Sequence, residues 1–202
     1  YNLEPEIYSI TGLQAFLKIA QHQNISHYPI HIKLDTGMHR LGFEPHLISE
    51  LCSLLKNNNF VKVKSVFSHL AASDDLQLDD FTKLQFQRFD AMYSELENVL
   101  PSKPIRHILN TSGIFNYAEK QMEMVRLGIG LYGIGNSEQE LKVLENVSTL
   151  KTIISQIREV LPEESIGYSR RFRVTQKMKV ATIPIGYADG IRRAWGNEKG
   201  FV

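Results

Sequence analysis

The sequence predicts an α/β fold whose parallel strands give way, near residue 138, to a mostly β segment. Three observations predict it. Period-2 apolar runs alternate with period-3.6 runs through the first two thirds of the chain. β-Branched residues then crowd into 148–160 and 178–185, with few helix signals. No Gly-x-Gly-x-x-Gly follows a strand to open a helix, which weighs against a dinucleotide-binding sheet.

The elements follow in order. Pro5 to Ile10 reads as a short strand. Thr11 caps a helix carrying Leu13, Phe16, Leu17 and Ala20 at i, i+3, i+4 and i+7. Residues 28–35 form the next strand: Ile30, Ile32 and Leu34 point to one face, and His31, Lys33 and Asp35 to the other. Pro45 opens a second helix with Leu47, Leu51, Leu54 and Leu55 on one face, and Asn57-Asn58-Asn59 stops it. Val61 to Leu70 is a third strand. A longer helix, about 81–99, aligns Phe89, Met92, Tyr93, Leu96 and Leu100. Ile105 to Thr111 and Met124 to Gly130 complete the series. Five strands with intervening helices match the later part of a (β/α)8 TIM-type barrel, whose full length is about 250 residues. A doubly wound open sheet fits the same alternation. Residues 1–138 are thus the partial barrel, and 139–202 the beginning of a β-rich C-terminal domain. The first and last residues read as the ends of a fragment.

Composition excludes several classes. Lys+Arg 23 against Asp+Glu 22 gives net +1, no basis for binding nucleic acid or an anionic membrane. No apolar run approaches the roughly 18 residues of a spanning helix. The single cysteine, Cys52, rules out an internal disulfide, reads as packing among Leu51, Leu54 and Leu55, and points to a reducing cytoplasm. The aspartates of Asp74-Asp75 and Asp79-Asp80 are adjacent pairs without ligand spacing, so they read as a solvated loop and no metal is expected.

Polar residues at strand ends are the candidates for chemistry. Gly37 breaks the second strand and Arg40 follows, a planar fork suited to a carboxylate or phosphate. His69 closes the third strand. Asn110-Thr111-Ser112-Gly113 ends the fourth, either as a plain N-cap or as hydroxyls and N–H groups around a phosphate. Arg126 lies in an apolar stretch and needs a partner. Lys33 suits a simple pair with a carboxylate.

These words, taken together, resemble the alanine racemases. Lys33-Leu-Asp-Thr-Gly-Met-His-Arg-Leu-Gly-Phe43 resembles that family's signature, and Ser68-His-Leu-Ala71 its His-x-Ala stretch. His107-Ile-Leu-Asn110-Thr111 parallels His-x-x-Asn-Ser, with threonine for serine. Arg126-Leu-Gly-Ile-Gly-Leu-Tyr-Gly, Ile166-Gly-Tyr168 and Gly186-Tyr-Ala-Asp-Gly190 supply the remaining motifs in the family's order, so the resemblance spans about residues 28–195.

The resemblance implies a pyridoxal 5'-phosphate (PLP) enzyme interconverting L- and D-alanine by two-base proton transfer at Cα. His69 would pack on the cofactor ring, and Arg126 would donate to its nitrogen. A guanidinium stays protonated, so the ring would remain a weaker electron sink. Asn110, Thr111 or Ser112, with the backbone of Gly128 and Ile129, would hold the phosphate. Arg40 would bind the substrate carboxylate, and Tyr187 would stand at the substrate entrance. Tyr168 would be one base, acting across a homodimer interface. A phenol of pKa about 10 needs help for that, which a Tyr168–His69–Arg126 chain would give. Lys33 matches a position that is often carbamylated in the family. D-Alanine feeds peptidoglycan, which implies a bacterial cytoplasm and permits fusion behind a peptidoglycan ligase. The family's Lys-Ala-x-Ala-Tyr-Gly motif, whose lysine holds PLP and serves as the second base, does not occur in the 202 residues; this stretch alone is therefore expected to be inactive. The alternatives are a serine or broad-specificity racemase, a decarboxylase on the same architecture, and a non-catalytic PLP-binding barrel.

Overall fold

The computed structural model describes residues 3–196. These residues fall into two compact units, divided after Ser148. The change of texture near residue 138 coincides with a short helix, and the division between units falls later, after Ser148.

The first unit is built on four parallel strands in sequential order: β1 (Glu6–Ile7), β2 (Tyr28–Lys33), β3 (Val61–Phe67) and β4 (Ile105–His107). Helices α1 (Ile10–His22), α2 (Ile48–Leu55) and α3 (Asp79–Glu97) follow β1, β2 and β3 and cover one face. Short helices α4 (Thr111–Asn116) and α5 (Glu138–Val143) come later. Ile30, Ile32 and Leu34 meet Leu13, Ile48, Leu51, Phe89 and Leu96 under the helices, all at 0–1% exposure. Each such side chain contributes about 1.5–3 kcal/mol on burial. The opposite face of the sheet carries Glu6, His31, Lys33, Ser65, Phe67 and His107, aligned by the register Glu6↔His31↔Ser65 and Lys33↔Phe67↔His107. A register shift at Ile30/His31 makes this alignment, since Ile30 pairs with Val63 but His31 pairs with Ser65.

Several elements differ from their expected form. The first strand is only Glu6–Ile7, and the cap of α1 is Ser9, not Thr11: extended Ser9 accepts from the Gly12 N–H at 3.2 Å. Pro45 opens a 3-10 turn that leads into α2. The fourth strand stops at His107, and Thr111 begins α4 behind the Asn110 cap, whose Oδ1 accepts from Gly113 N at 2.9 Å. Residues 124–127 run beside β4 through Met124 N to Arg106 O and Arg126 N to Leu109 O, and add no fifth strand to the ladder. Gly128 N and Gly130 N turn instead to the Thr111 hydroxyl, and a 3-10 turn Ile129–Tyr132 follows. Cys52 is half-buried at the edge of the core, where burial pushes its thiol pKa up.

The second unit pairs β5 (Gln156–Val160) with β8 (Met178–Thr182), and β6 (Ser165–Ile166) with β7 (Phe172–Arg173), both antiparallel. Among the described residues no helix is long and apolar enough to cross a membrane, and no group of three acidic, histidine or cysteine side chains could hold a metal ion. Asp75 and Asp79 have local uses instead: Asp75 caps a 3-10 turn, and Asp79 pairs with Lys83 at 2.6 Å.

Candidate active site

The carboxyl ends of β2, β3 and β4 bring Lys33, Arg40, His69, Asn110, Thr111 and Arg126 into the first unit's loop region. The loop after β2 is fixed by Asp35. Its Oδ1 accepts the N–H groups of Gly37, Met38 and His39 at 2.9–3.1 Å. The base of the loop is closed by Asp35 N to Phe43 O at 2.8 Å and Phe43 N to Lys33 O at 2.9 Å. Gly37 and Gly42 have φ of +140° and +136°, and a Cβ on Gly42 would lie 2.6 Å from Asp35 N. Glycine is needed there for both reasons. Arg40 stands exposed at the tip of this turn.

Gln85, fully buried on α3, ties that loop to the next. Its Oε1 accepts from Ala71 N at 2.9 Å, and its Nε2 donates to Thr36 Oγ1 and His69 O, both at 3.1 Å. Ser68 adds a 2.8 Å contact to the Thr36 hydroxyl and donates to Leu34 O at 2.7 Å. The loops bearing Arg40 and His69 therefore share one buried clamp.

Arg126 is the hub. The Arg106 side chain forks onto Glu123 at 2.6 and 3.1 Å, which anchors the segment carrying Arg126 against β4 and holds the Glu123 pKa down at about 2. Arg126 Nη1 donates to His107 Nδ1 and to His107 O; Nη2 donates to Ser68 O at 2.6 Å and Ile108 O at 3.4 Å, and lies 3.4 Å from His69 Nδ1. Burial lowers its pKa from the ordinary value, yet a guanidinium remains charged at any working pH. Its Nε–H donates to no atom among the described residues and is not sealed from solvent.

Both histidines around it are held neutral. Burial lowers the His69 pKa, helped by the charges of Arg126, Arg40 and Lys33. Burial, then Arg126 and His31, lower His107 to about 3. His107 stacks on Phe67 with ring centres 4.7 Å apart, and the Arg126 guanidinium lies 5.2 Å from the same Phe67 ring. Lys33 is also near that ring, and its Nζ donates to Glu6 Oε1 at 2.9 Å.

The low pKa of His107 carries a stability consequence. Unfolded histidine titrates near pH 6.5, so between about 6.5 and 3 only the unfolded chain takes up the proton. The contribution of neutral His107 is complete above pH 6.5 and is lost as pH falls toward 3, with a slope of up to about 1.4 kcal/mol per pH unit. Denaturant midpoints measured across that range in the full-length protein should fall more steeply for the native chain than for His107→Gln. Equal slopes would show that His107 is not buried neutral.

Thr111 sits where α4 meets the turn after Arg126. Its hydroxyl accepts from Gly128 N at 3.1 Å and Gly130 N at 3.2 Å, and a Cβ on Gly130 would come within 2.7 Å of its methyl. Ser112 Oγ accepts from Asn136 at 3.0 Å, and Asn110 also accepts from Ser73 Oγ at 2.7 Å. Ile129 begins the adjacent 3-10 turn.

Tyr168 and Tyr187 belong to the second unit. Tyr168 is 99% exposed within a strained turn, with Ser169 at φ +58° and Arg170 at φ +52°. Tyr187 is 73% exposed and opens a turn held by Asp189, which accepts from Gly186 N at 2.9 Å. Sequence reasoning assigned no role to Ser65, Gln85 or Glu6. A polar residue inside a buried strand and a glutamine on the apolar stripe of α3 are the signals that mark Ser65 and Gln85.

Residues 1–136 match the family described as alanine racemase, N-terminal domain, and residues 147–202 its C-terminal domain. Alanine racemase 1 of Oceanobacillus iheyensis is 34% identical over 201 residues, covering 98% of this chain and 53% of the relative. The structure of alanine racemase from Clostridium difficile 630 matches at TM-score 0.77 and 30% identity, over 95% of this chain and 50% of that one. Alanine racemase from Bartonella henselae with covalently bound pyridoxal phosphate matches at 0.76 and 26%, over 96% and 52%. The chain spans about half the length of the curated relatives it matches.

Proposed function

The chain belongs to the alanine racemase family, and from that premise we propose that the whole protein racemises alanine with PLP. Arg126 carries this reading. Its terminal nitrogens are spent on protein acceptors, and its Nε–H is left free at the carboxyl ends of the strands. A free donor on a permanent cation suits an aromatic ring nitrogen that accepts and never gains a proton. Neutral His69 beside it presents a flat ring for stacking. The Thr111 and Ser112 hydroxyls, which accept within the chain and can still donate, suit a phosphate beside Asn110 and the Ile129 N–H, with the Gly128 N–H spent on Thr111.

PLP, when bound, supplies the conjugated aldehyde that acidifies an amino acid's Cα–H. Everything else falls to the chain. Arg40 takes the substrate carboxylate on a loop that Asp35 and Gln85 hold still. The Lys33–Glu6 pair at the base of that loop favours an unmodified ammonium at Lys33 over a carbamate. Tyr168 moves a proton on one face of Cα, acting across a homodimer interface with His69 and Arg126 behind it, and Tyr187 lines the approach. The second base is a lysine outside residues 1–202, so this stretch alone is inactive. Supply of D-alanine to the bacterial cell wall, in the cytoplasm, follows from the same reading.

The test uses the full-length protein. Its visible spectrum is recorded with PLP, borohydride is added, and the reduced adduct is mapped while alanine and serine racemisation are assayed. An adduct on a lysine outside residues 1–202, with turnover of alanine above serine, is the expected result. No lysine adduct and no turnover would refute the reading.

A further inference from the structure

We propose that Ser65 is a positioning residue: its hydroxyl braces the Nε2 edge of the His107 ring that backs Arg126, whose guanidinium dictates the His107 tautomer, and passes that order on to fix the tautomer of His31. Donors and acceptors alternate along one polar line across the inner face of the sheet. Arg126 can only donate, so His107 Nδ1, which faces it, must accept. The proton of neutral His107 is then on Nε2, which lies 3.0 Å from Ser65 Oγ. Having accepted there, the Ser65 hydroxyl donates its own proton to His31 Nδ1, 2.6 Å away. That leaves the His31 proton on Nε2, directed at Glu4 Oε2 at 2.9 Å. Each link has one donor and one acceptor, and the line runs from a fixed cation to a carboxylate.

No other arrangement satisfies the buried members. With Nδ1 protonated, His107 would set N–H against N–H at Arg126. With both nitrogens protonated, His31 would donate to Ser65, and the hydroxyl of a residue 2% exposed would have no acceptor for its proton among the described residues. Stacking on Phe67, within 7° of parallel, holds the His107 ring in this plane. Arg126 decides which His107 nitrogen holds the proton, and Ser65 carries that choice to His31. The strand shift that aligns His31 with Ser65 puts the hydroxyl between the two rings. The consequence for PLP rests on the functional reading above; the tautomers do not.

The experiment is NMR of the full-length protein labelled with 15N-histidine, with His107→Gln and His31→Gln used for assignment. In the native protein, both His107 and His31 should show an unprotonated, pyridine-type Nδ1 and a protonated, pyrrole-type Nε2. In Ser65→Ala, the two His31 nitrogens should shift toward averaged values while those of His107 stay apart, and Ser65→Thr, which keeps the hydroxyl, should restore the His31 pattern. A native spectrum with either Nδ1 protonated overturns the proposal, even where the alanine variant does not fold. So does a Ser65→Ala spectrum unchanged from native. A protein with these tautomers that forms no lysine adduct would defeat the functional reading and leave this one standing; a functional racemase with the opposite tautomers would do the reverse.

Discussion

Arg126→Ala in the full-length protein is expected to lose both PLP retention and about 3–5 kcal/mol of stability. The fold cost comes from what the guanidinium leaves behind. The His107 Nδ1 and the carbonyls of His107, Ser68 and Ile108 all lose a donor at once. Each buried acceptor left unpaired costs about 1–3 kcal/mol, and water entering the gap offsets part of it. The cation also helps to keep His107 neutral, so its removal lets that ring take up a proton at higher pH. Arg126→Lys separates the two effects. A lysine keeps the charge but is a point donor without a fork. It cannot reach His107 and Ser68 while also presenting a free N–H to a ring nitrogen. Lysine should therefore recover part of the stability and little of the PLP binding. Denaturant unfolding and PLP titration by absorbance read the two quantities. Native PLP affinity in the alanine variant would sink the role given to Arg126.

The helix-facing half of this unit was legible from periodicity, because burial under helices enforces a strict period. Ile30, Ile32 and Leu34 are buried as the alternation required, and Leu51, Phe89, Met92 and Leu96 lie on the stripes their spacing gave. The inner face was not fully legible. In Val61-Lys-Val-Lys-Ser-Val-Phe67, simple alternation puts Ser65 with Val61 and Val63 under the helices. The register shift moves it to the other face, beside His31. A bulge is a tertiary compromise that local sequence does not announce. The stretch 124–130 failed as a strand for a related reason. Its β-branched and apolar residues satisfy the pattern, but Thr111 captures the N–H groups of Gly128 and Gly130 that would have continued a ladder. His69 and Arg40 stood out as polar residues at strand ends, and Arg126 as an arginine within an apolar stretch. Gln85 did not, because a glutamine within an apolar stripe looks like a break in the pattern until its three hydrogen bonds are seen.

Tyr168→Phe should reduce alanine racemisation by roughly 10²–10⁴-fold, the usual worth of one acid/base group, while leaving the PLP spectrum unchanged. The phenol is 99% exposed within its own unit, so nothing there restrains or activates it. In the proposed reaction its partners come from elsewhere, and the lost atom is the hydroxyl alone. The second base remains in this variant. Exchange of the Cα proton into D₂O should therefore persist for the enantiomer that presents that proton to the remaining base, with inversion suppressed. A variant that racemises at the native rate would remove Tyr168 from the chemistry. Location is tested separately by mixing subunits. Arg40→Ala and Tyr168→Phe each disable a site. If Tyr168 serves the neighbouring subunit, a mixed dimer places both lesions in one site and leaves the other intact, so activity returns on mixing. If Tyr168 serves its own chain, each site keeps one lesion and mixing restores nothing.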